Sequence, residues 1–431
     1  MNKTVLSGSL SGKIQMIPSK SAAHRSIIMA ALCKDKPVSL FPVQMSADIQ
    51  ATLACCQSLG LMQPCSSERA DALGQLHLKI TPVRQENDQQ ERFLDCGESG
   101  STLRFMIPLA LDGKGPVTFT GHGRLMQRPL SVYEALFQKD GCLWKQQENK
   151  LTVCGRLESG DFFLPGDVSS QFVTGLLLVL PLLEGDSRII LTSPLQSSAY
   201  VELTRELQQN FGVHTAWVDE KTLQVPGKQQ YHSPCSMTVE GDWSHAAFYL
   251  TAGLISHKGA VEVAGLKPDS VQADRAILSI LRSMGGMITE NDNGSFTACP
   301  SPLHGVEVDC SQCPDIVPIL AAAMACADGT SRITGAARLR LKESDRLEAM
   351  KNALSAIGIS CEALPDGLII QGSSVLHGAT VSGVNDHRIV MAMAIAAARC
   401  GGPVTITDSE SVAKSAPLFW EEYKHLGGVT I

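Results

Sequence analysis

The chain has 431 residues, of which 44% are hydrophobic, 18% charged and 5% aromatic, and its formal net charge is −7. That length supports two or three domains with large buried cores. The negative balance argues against a general nucleic-acid or acidic-membrane partner, so any anionic ligand must be held by a local concentration of Lys and Arg.

The N-terminus, MNKTVLSGSLSGKI, lacks the charged-then-apolar pattern of a signal peptide. The densest apolar run, LLLVLPLL, is broken by Pro181 and is shorter than the roughly 18 residues that span a bilayer. Fourteen cysteines without a secretory signal read as reduced thiols, and the expected compartment is the cytoplasm. A strand over Lys3–Ile17 comes first and has to pair elsewhere in the chain. After it, a two-part unit recurs every ~70–80 residues, longer than solenoid repeats and therefore a domain-building unit.

The first parts are KSAAHRSIIMAALCKDKPVSL, GESGSTLRFMIPLALDGKGPVTFTG, VSSQFVTGLLLVLPLLEGDSRIILTS, DWSHAAFYLTAGLISHKGAVEVAG, QCPDIVPILAAAMACADGTSRITG and NDHRIVMAMAIAAARCGGPVTITD. Each opens on small polar residues, runs through an Ala/Leu-rich helix and enters a β-branched strand. The second parts, DIQATLACCQSLG, LSVYEALFQKDG, YVELTRELQQNFG, VQADRAILSILRSMGG, RLEAMKNALSAIG and FWEEYKHLGG, read as amphipathic helices ending at Gly. The first helix of each unit is nearly all apolar and should be buried, whereas the second should lie outside. The result is an α/β chain with three units per domain, dividing near Ser236–Gly241. The polar run Arg84–Arg92 reads as an exposed loop.

Chemistry-bearing side chains recur at the starts of the buried helices. They are Lys20, Ser21 and Arg25 in the first unit, Gly97 and Ser99–Ser101 with Arg104 in the second, and Ser169, Ser170 and Gln171 in the third. Asp315 follows in the fifth unit, and Asp386, His387 and Arg388 in the sixth. A helix N-terminus presents unpaired N–H groups and about half a positive charge, which suits anions. Lys and Arg there add charge, and Arg can grip both oxygens of a carboxylate or phosphate. Taken singly, Ser and Gly at these places are also ordinary caps. The connecting segments extend the set with Ser197, Arg124 and Arg128 in GHGRLMQRPL, and Lys414 in SESVAKSAP. The densest segment is RLKESDR, Arg340–Arg346, where Lys342 and Glu343 are expected on the same side of a helix as Arg346. Acids among so many cations, Asp315, Glu343 and Asp48, suggest proton transfer.

PSKSAAHR, GESGSTLR, RLMQRP, SSQF, PDIV, RLKESDR, NDHR and AKSAP, in this order, resemble the enolpyruvyl transferases over essentially the whole chain. The resemblance implies a two-domain fold of three βαβαββ units per domain, an inverse α/β barrel with buried parallel helices. The domains would be residues 18–238, and 1–17 with 239–431, with the active site in the cleft between them. The motifs match best the branch that joins phosphoenolpyruvate to shikimate 3-phosphate. In that branch the shikimate phosphate would be held by Ser169, Ser170, Ser197 and Lys342, and its carboxylate by Arg25. The ring hydroxyls would lie near Ser21 and Asp315, with Lys20 and Gln171 at the same ligand. Phosphoenolpyruvate would be held by Lys20, the Gly100 backbone, Arg128, Gln171, Arg346, Arg388 and Lys414. Glu343, Asp315 and Lys20 are the implied catalytic residues. No cofactor or metal is implied, and a monomer is expected.

Several positions depart from the family pattern: Pro18 stands for Gly, Glu98-Ser-Gly-Ser for Asn-Ala-Gly-Thr, Phe105 for Pro, and Arg338 for Asn. Arg338 is open between a substituted phosphate contact and a solvated residue. The sister branch that uses UDP-N-acetylglucosamine carries a Cys in its mobile loop, which GHGRLMQRP lacks. Cys310-Ser-Gln-Cys313 has the spacing of a thiol redox or zinc motif but has no second pair near it. Gly8-Ser-Leu-Ser-Gly-Lys13 is one residue short of a P-loop and lacks the following Ser or Thr. His387 reads as a packed ring that positions Arg388, and His24, His122 and His245 as structural.

Overall fold

A computed structural model describes residues 1–69, 75–83, 91–139 and 141–431, with the backbone only for 66–69. Most of the polar run Arg84–Arg92, residues 84–90, lies outside the described residues. The chain divides into two compact units, Pro18–Val239 and Met1–Ile17 with Glu240–Ile431. The first runs one residue beyond the expected 238, because the Val239 N–H donates to the Phe41 carbonyl at 3.0 Å.

In the Pro18–Val239 unit the described helices are α1 (Lys20–Leu32), α2 (Ala47–Ser58), α3 (Gly100–Ala110), α4 (Ser131–Lys139), α5 (Ser170–Val179) and α6 (Ser198–Asn210). In the other they are α7 (Trp243–Ile255), α8 (Ile277–Ser283), α9 (Val317–Ala325), α10 (Arg346–Ala356), α11 (His387–Ala397) and α12 (Phe419–His425). The odd-numbered helices are almost wholly buried, as their lack of a polar face requires. The even-numbered helices bury one side only. Beyond their last turns stand Gly60, Gly141, Gly212, Gly285, Gly358 and Gly427, all at positive φ. That left-handed geometry is cheap for Gly, and it ends each second helix in the same way.

Each unit carries three four-stranded sheets of one pattern. An edge strand runs parallel to the strand after the buried helix, and an antiparallel pair completes the sheet. Arg92–Asp95, Val117–Thr120, Lys150–Cys154 and Leu143–Gln147 show it within one repeat. Strands such as Asp161–Leu164 alternate buried and exposed residues, the pattern of a sheet with one face to solvent and one to the helices. Within each unit the odd-numbered helices lie at the centre and the sheets outside them.

The segment expected as one strand over Lys3–Ile17 is two strands. Lys3–Leu6 pairs with Val404–Ile406 and Val429–Thr430 and supplies the antiparallel strand that the last repeat lacks. Gly12–Gln15 runs parallel to Val261–Ala264 as the missing edge of the fourth repeat. Ser236–Thr238 does the same for the first repeat, parallel to Val38–Val43. Three of the six sheets are thus completed by segments distant in sequence, and these segments lie where the chain passes from one unit to the other.

Candidate functional site

In the Pro18–Val239 unit, the starts of α1, α3 and α5 carry N-cap hydroxyls: Ser19 accepts from Ala22 N–H, Ser99 from Thr102 N–H and Ser169 from Gln171 N–H. Ser170 is buried beside this last cap. One turn into α1, Arg25 is 2% exposed. Its guanidinium donates to Thr204 Oγ1 (2.8 Å), the Ser21 carbonyl (2.8 Å), Thr174 Oγ1 (3.3 Å) and the Tyr200 carbonyl (3.3 Å). Every one of these acceptors is neutral. Burial lowers its pKa to about 10, and nearby Tyr200 works the other way. The rings of Phe105 and Tyr200 lie 5.1 and 5.9 Å from its carbon, so Phe105, a departure from the family pattern, is a cation–π platform for Arg25. A buried cation balanced only by neutral oxygens favours an anion arriving beside it.

Lys20 opens α1 and pairs with Asp48 of α2 at 2.6 Å, the side chains 22% and 15% exposed. A second chain of contacts joins α3 to α5: Arg104 donates to Gln171 Oε1 at 2.8 Å, and Gln171 Nε2 donates to Ser101 Oγ at 2.9 Å. Arg104 also reaches the Pro129 carbonyl at 3.1 Å, next to Arg128 in the backbone. The Arg128 guanidinium lies over the Gly100 backbone. A Cβ on Gly100 would come within 2.7 Å of its Cζ, so only glycine leaves that approach open. Ser197, 3% exposed, precedes α6 with φ 55°. A non-glycine residue there pays a conformational cost that is found most often at functional positions.

In the other unit the acids and cations interlock. Arg346 opens α10, 2% exposed, and reaches three carboxylates: Asp386 at 2.8 Å, Glu343 at 2.8 Å and Asp315 at 3.0 Å. Lys342 lies 3.3 Å and Arg388 3.6 Å from Asp315, and Arg388 also donates to the Asp315 carbonyl at 2.7 Å. Burial alone would raise the Asp315 pKa, but Arg388, then Lys342 and Arg346, hold it well below the usual carboxylate value. Asp386 is lowered in the same way, burial being outweighed by Arg346. Lys414 donates to the Asn385 carbonyl at 2.7 Å. Val384 and Asn385, both at positive φ, form the bend that presents this carbonyl. Asp386 then caps α11 by accepting from Arg388 N–H.

One local expectation is corrected. Lys342 and Glu343 are not on a helix: a 3-10 turn covers Ala337–Leu341, and α10 begins only at Arg346 because Asp345 caps it, accepting from Glu348 N–H. The ion pair of Glu343 with Arg346 forms from the loop instead. Arg338 is tethered to the Ser311 carbonyl at 2.6 Å. The sequence reading missed Thr174 and Thr204, which hold Arg25, and Ser344, which donates to Asp386 at 2.9 Å. It also missed Asp274, a buried acid that receives the Ser244 hydroxyl. Thr174, Thr204 and Asp274 look like ordinary helix and turn residues in sequence, and Ser344, although inside RLKESDR, is overshadowed there by its charged neighbours.

Cys310 and Cys313 are 0% and 4% exposed. The hydrogen bond shared with Cys310, and then burial, push the Cys313 thiol up, away from the thiolate that redox or metal chemistry uses. His24 contacts Thr52 at 2.6 Å, and its pKa is lowered by burial, then by Lys20 and Arg25. His245 pairs with Glu422 at 2.7 Å and His122 with Asp95 at 3.1 Å. His387 sits buried beside Asp386 and Arg388.

The profile of the family described as EPSP synthase (3-phosphoshikimate 1-carboxyvinyltransferase) matches residues 6–423. A relative from Clostridium novyi (strain NT), named 3-phosphoshikimate 1-carboxyvinyltransferase, is 42% identical over 99% of this chain and 98% of its own. A relative of the same name from Clostridium acetobutylicum is 43% identical over 97% of this chain and 96% of its own. Among solved structures, EPSP synthase from Acinetobacter baumannii superposes with TM-score 0.80 at 25% identity, covering 100% of this chain and 99% of that one. The enolpyruvyl transferase NikO from Streptomyces tendae shares the fold, with TM-score 0.78 at 16% identity over 100% of this chain and 98% of that one.

Proposed function

Because the chain belongs to the EPSP synthase (3-phosphoshikimate 1-carboxyvinyltransferase) family, we propose that it transfers the enolpyruvyl group of phosphoenolpyruvate to the 5-hydroxyl of shikimate 3-phosphate and releases phosphate. The step serves chorismate and aromatic amino-acid biosynthesis. The observation that carries the residue roles is the sharing of Arg346 by Asp315 and Glu343, at 3.0 and 2.8 Å, beside Lys342 and Arg388. Two acids held among cations provide separate proton carriers for an addition and an elimination.

In this reading Glu343 protonates the methylene carbon of phosphoenolpyruvate. Asp315 accepts the proton of the 5-hydroxyl as its oxygen attacks the adjacent carbon, giving a tetrahedral intermediate. Loss of a methyl proton to Glu343 then expels phosphate and restores the double bond. The cations that depress the Asp315 pKa are those assigned to the ligands. Anions drawing on Arg388 and Lys342 therefore release Asp315 to act as a base. Lys20, Gly100, Arg128, Gln171, Arg346, Arg388 and Lys414 are assigned to phosphoenolpyruvate, with Lys20 and the arginines stabilising the departing phosphate. Lys20, Ser21, Arg25, Ser169, Ser170, Gln171, Ser197, Asp315 and Lys342 are assigned to shikimate 3-phosphate. The unbalanced charge of Arg25 supports its pairing with the carboxylate. The same reading makes the protein a cytoplasmic monomer.

The test is phosphate release from phosphoenolpyruvate with shikimate 3-phosphate or with UDP-N-acetylglucosamine as acceptor. Turnover with the first alone is expected, and turnover with the second alone would refute the assignment.

A further inference from the structure

Asp274 is a buried acid to which the mechanism gives no task. It lies in the 3-10 turn Ala273–Ala276 that leads into α8 and is 1% exposed. Gln272 fixes this turn to the start of α7, accepting from Trp243 N–H at 3.2 Å and donating to the Gly241 carbonyl at 2.8 Å. The Ser244 hydroxyl donates to Asp274 Oδ2, while among the described residues nothing hydrogen-bonds Oδ1. The charges that act on it are those of Asp315 in the 314–316 turn, Arg388 on α11 and Asp242 at the cap of α7, and it acts in turn on the Cys313 thiol. A buried carboxylate with one oxygen unsatisfied and another acid nearby is unfavourable, and the neutral carboxyl relieves both penalties. Burial, then Asp315, push its pKa up to about 6, with Arg388 pulling the other way.

From this placement we propose that Asp274 is a positioning residue that takes up a proton when an anionic ligand binds at Arg388. The inference rests on the assignment of Arg388 to phosphoenolpyruvate. An ionised Asp274 and the bound anion draw on the same guanidinium, so each weakens the other's hold. Protonation of Asp274 frees Arg388 for the ligand and leaves Asp315 as the ionised acid beside it. Asp274 acts through these two residues and does not itself touch the ligand.

The experiment measures KM for phosphoenolpyruvate from pH 5 to 8, at saturating shikimate 3-phosphate, in the unmodified protein and in Asp274→Asn. The ratio of the two values cancels the substrate's own ionisation. It should be near one at pH 5 and rise roughly tenfold by pH 8. A ratio that stays flat overturns the inference. Ser244→Ala removes the hydroxyl that favours the ionised form, so it should move the rise to higher pH. An unmoved rise also counts against the proposal, and this variant serves if Asp274→Asn does not fold. Absence of turnover in the unmodified protein would sink the functional reading instead. Denaturant unfolding then decides whether Asp274 holds a proton. Its raised pKa means that its contribution is complete below pH 3.8 and lost as pH rises through about 6. The unmodified protein should therefore lose stability relative to Asp274→Asn across that window, and parallel curves would overturn the proposal.

Discussion

Arg346 and Asp386 form a two-point ion pair, Nε to Oδ2 at 2.8 Å and Nη2 to Oδ1 at 3.3 Å, with side chains 2% and 0% exposed. Asp386 accepts in addition from the Ser344 hydroxyl and caps α11. One carboxylate thereby fixes the start of α11, and with it Arg388, to the start of α10. Removing its charge leaves Arg346 buried with a weakened partner. Arg346 keeps Glu343 and Asp315, so Asp386→Asn should cost about 1–3 kcal/mol of stability in denaturant unfolding. Because its pKa is lowered from 3.8 in the folded chain, its contribution is present above that value and lost as pH falls through the lower folded value. The variant should show a shallower decline of stability below pH 4 than the unmodified protein.

Glu343 is assigned the proton at the methylene carbon, and it holds Arg346 from a loop rather than from a helix. Glu343→Gln keeps the shape and loses the proton. Steady-state kinetics should show kcat lower by roughly 100- to 10,000-fold, with KM for phosphoenolpyruvate changed only a few-fold. Lys20→Ala should behave differently, weakening binding as well, since it removes a charge-assisted contact worth about 1.5–3 kcal/mol. Full turnover by Glu343→Gln would remove this residue from the chemistry.

The Gly100–Arg128 approach gives a steric prediction. In Gly100→Ala the new methyl would meet Arg128 Cζ at 2.7 Å and Nη2 at 2.9 Å. The flexible end of the arginine can yield, so the fold should survive with a melting temperature close to that of the unmodified protein. The displaced guanidinium should raise KM for phosphoenolpyruvate roughly tenfold or more, in line with a lost charged hydrogen bond. An unchanged KM would show that Arg128 does not serve this ligand.

Thiol chemistry offers a further check. Cys235 is exposed, whereas Cys310 and Cys313 are buried and the Cys313 thiol is held protonated. A bulky alkylating reagent at neutral pH should label Cys235 first, as read by peptide mass, and leave turnover intact. Loss of activity that tracks labelling of Cys310 or Cys313 would revive a thiol role for that pair.

Much of this architecture is legible from local signals. The glycines after each second helix and the capping Ser and Asp residues act over a few residues, so Gly60, Gly141, Ser99 and Asp386 are readable one at a time. Pairings distant in sequence are not. Nothing in Lys3–Leu6 announces that its partners are Val404–Ile406 and Val429–Thr430. Helix spacing also misled at Lys342 and Glu343, because the cap at Asp345 overrides the charge pattern before it. Asp274 is hidden for a related reason. In sequence it is one more acid before a helix, and its meaning comes from burial against α7 and from the charges that Asp315 and Arg388 bring from other repeats.

The most direct test of enolpyruvyl transfer follows the bridging oxygen of phosphoenolpyruvate. With ¹⁸O at that position and shikimate 3-phosphate as acceptor, addition followed by elimination breaks the C–O bond, so mass spectrometry should find the label in the released phosphate. Label retained on the carbon product would mean P–O cleavage, a phosphoryl transfer, and would contradict the account.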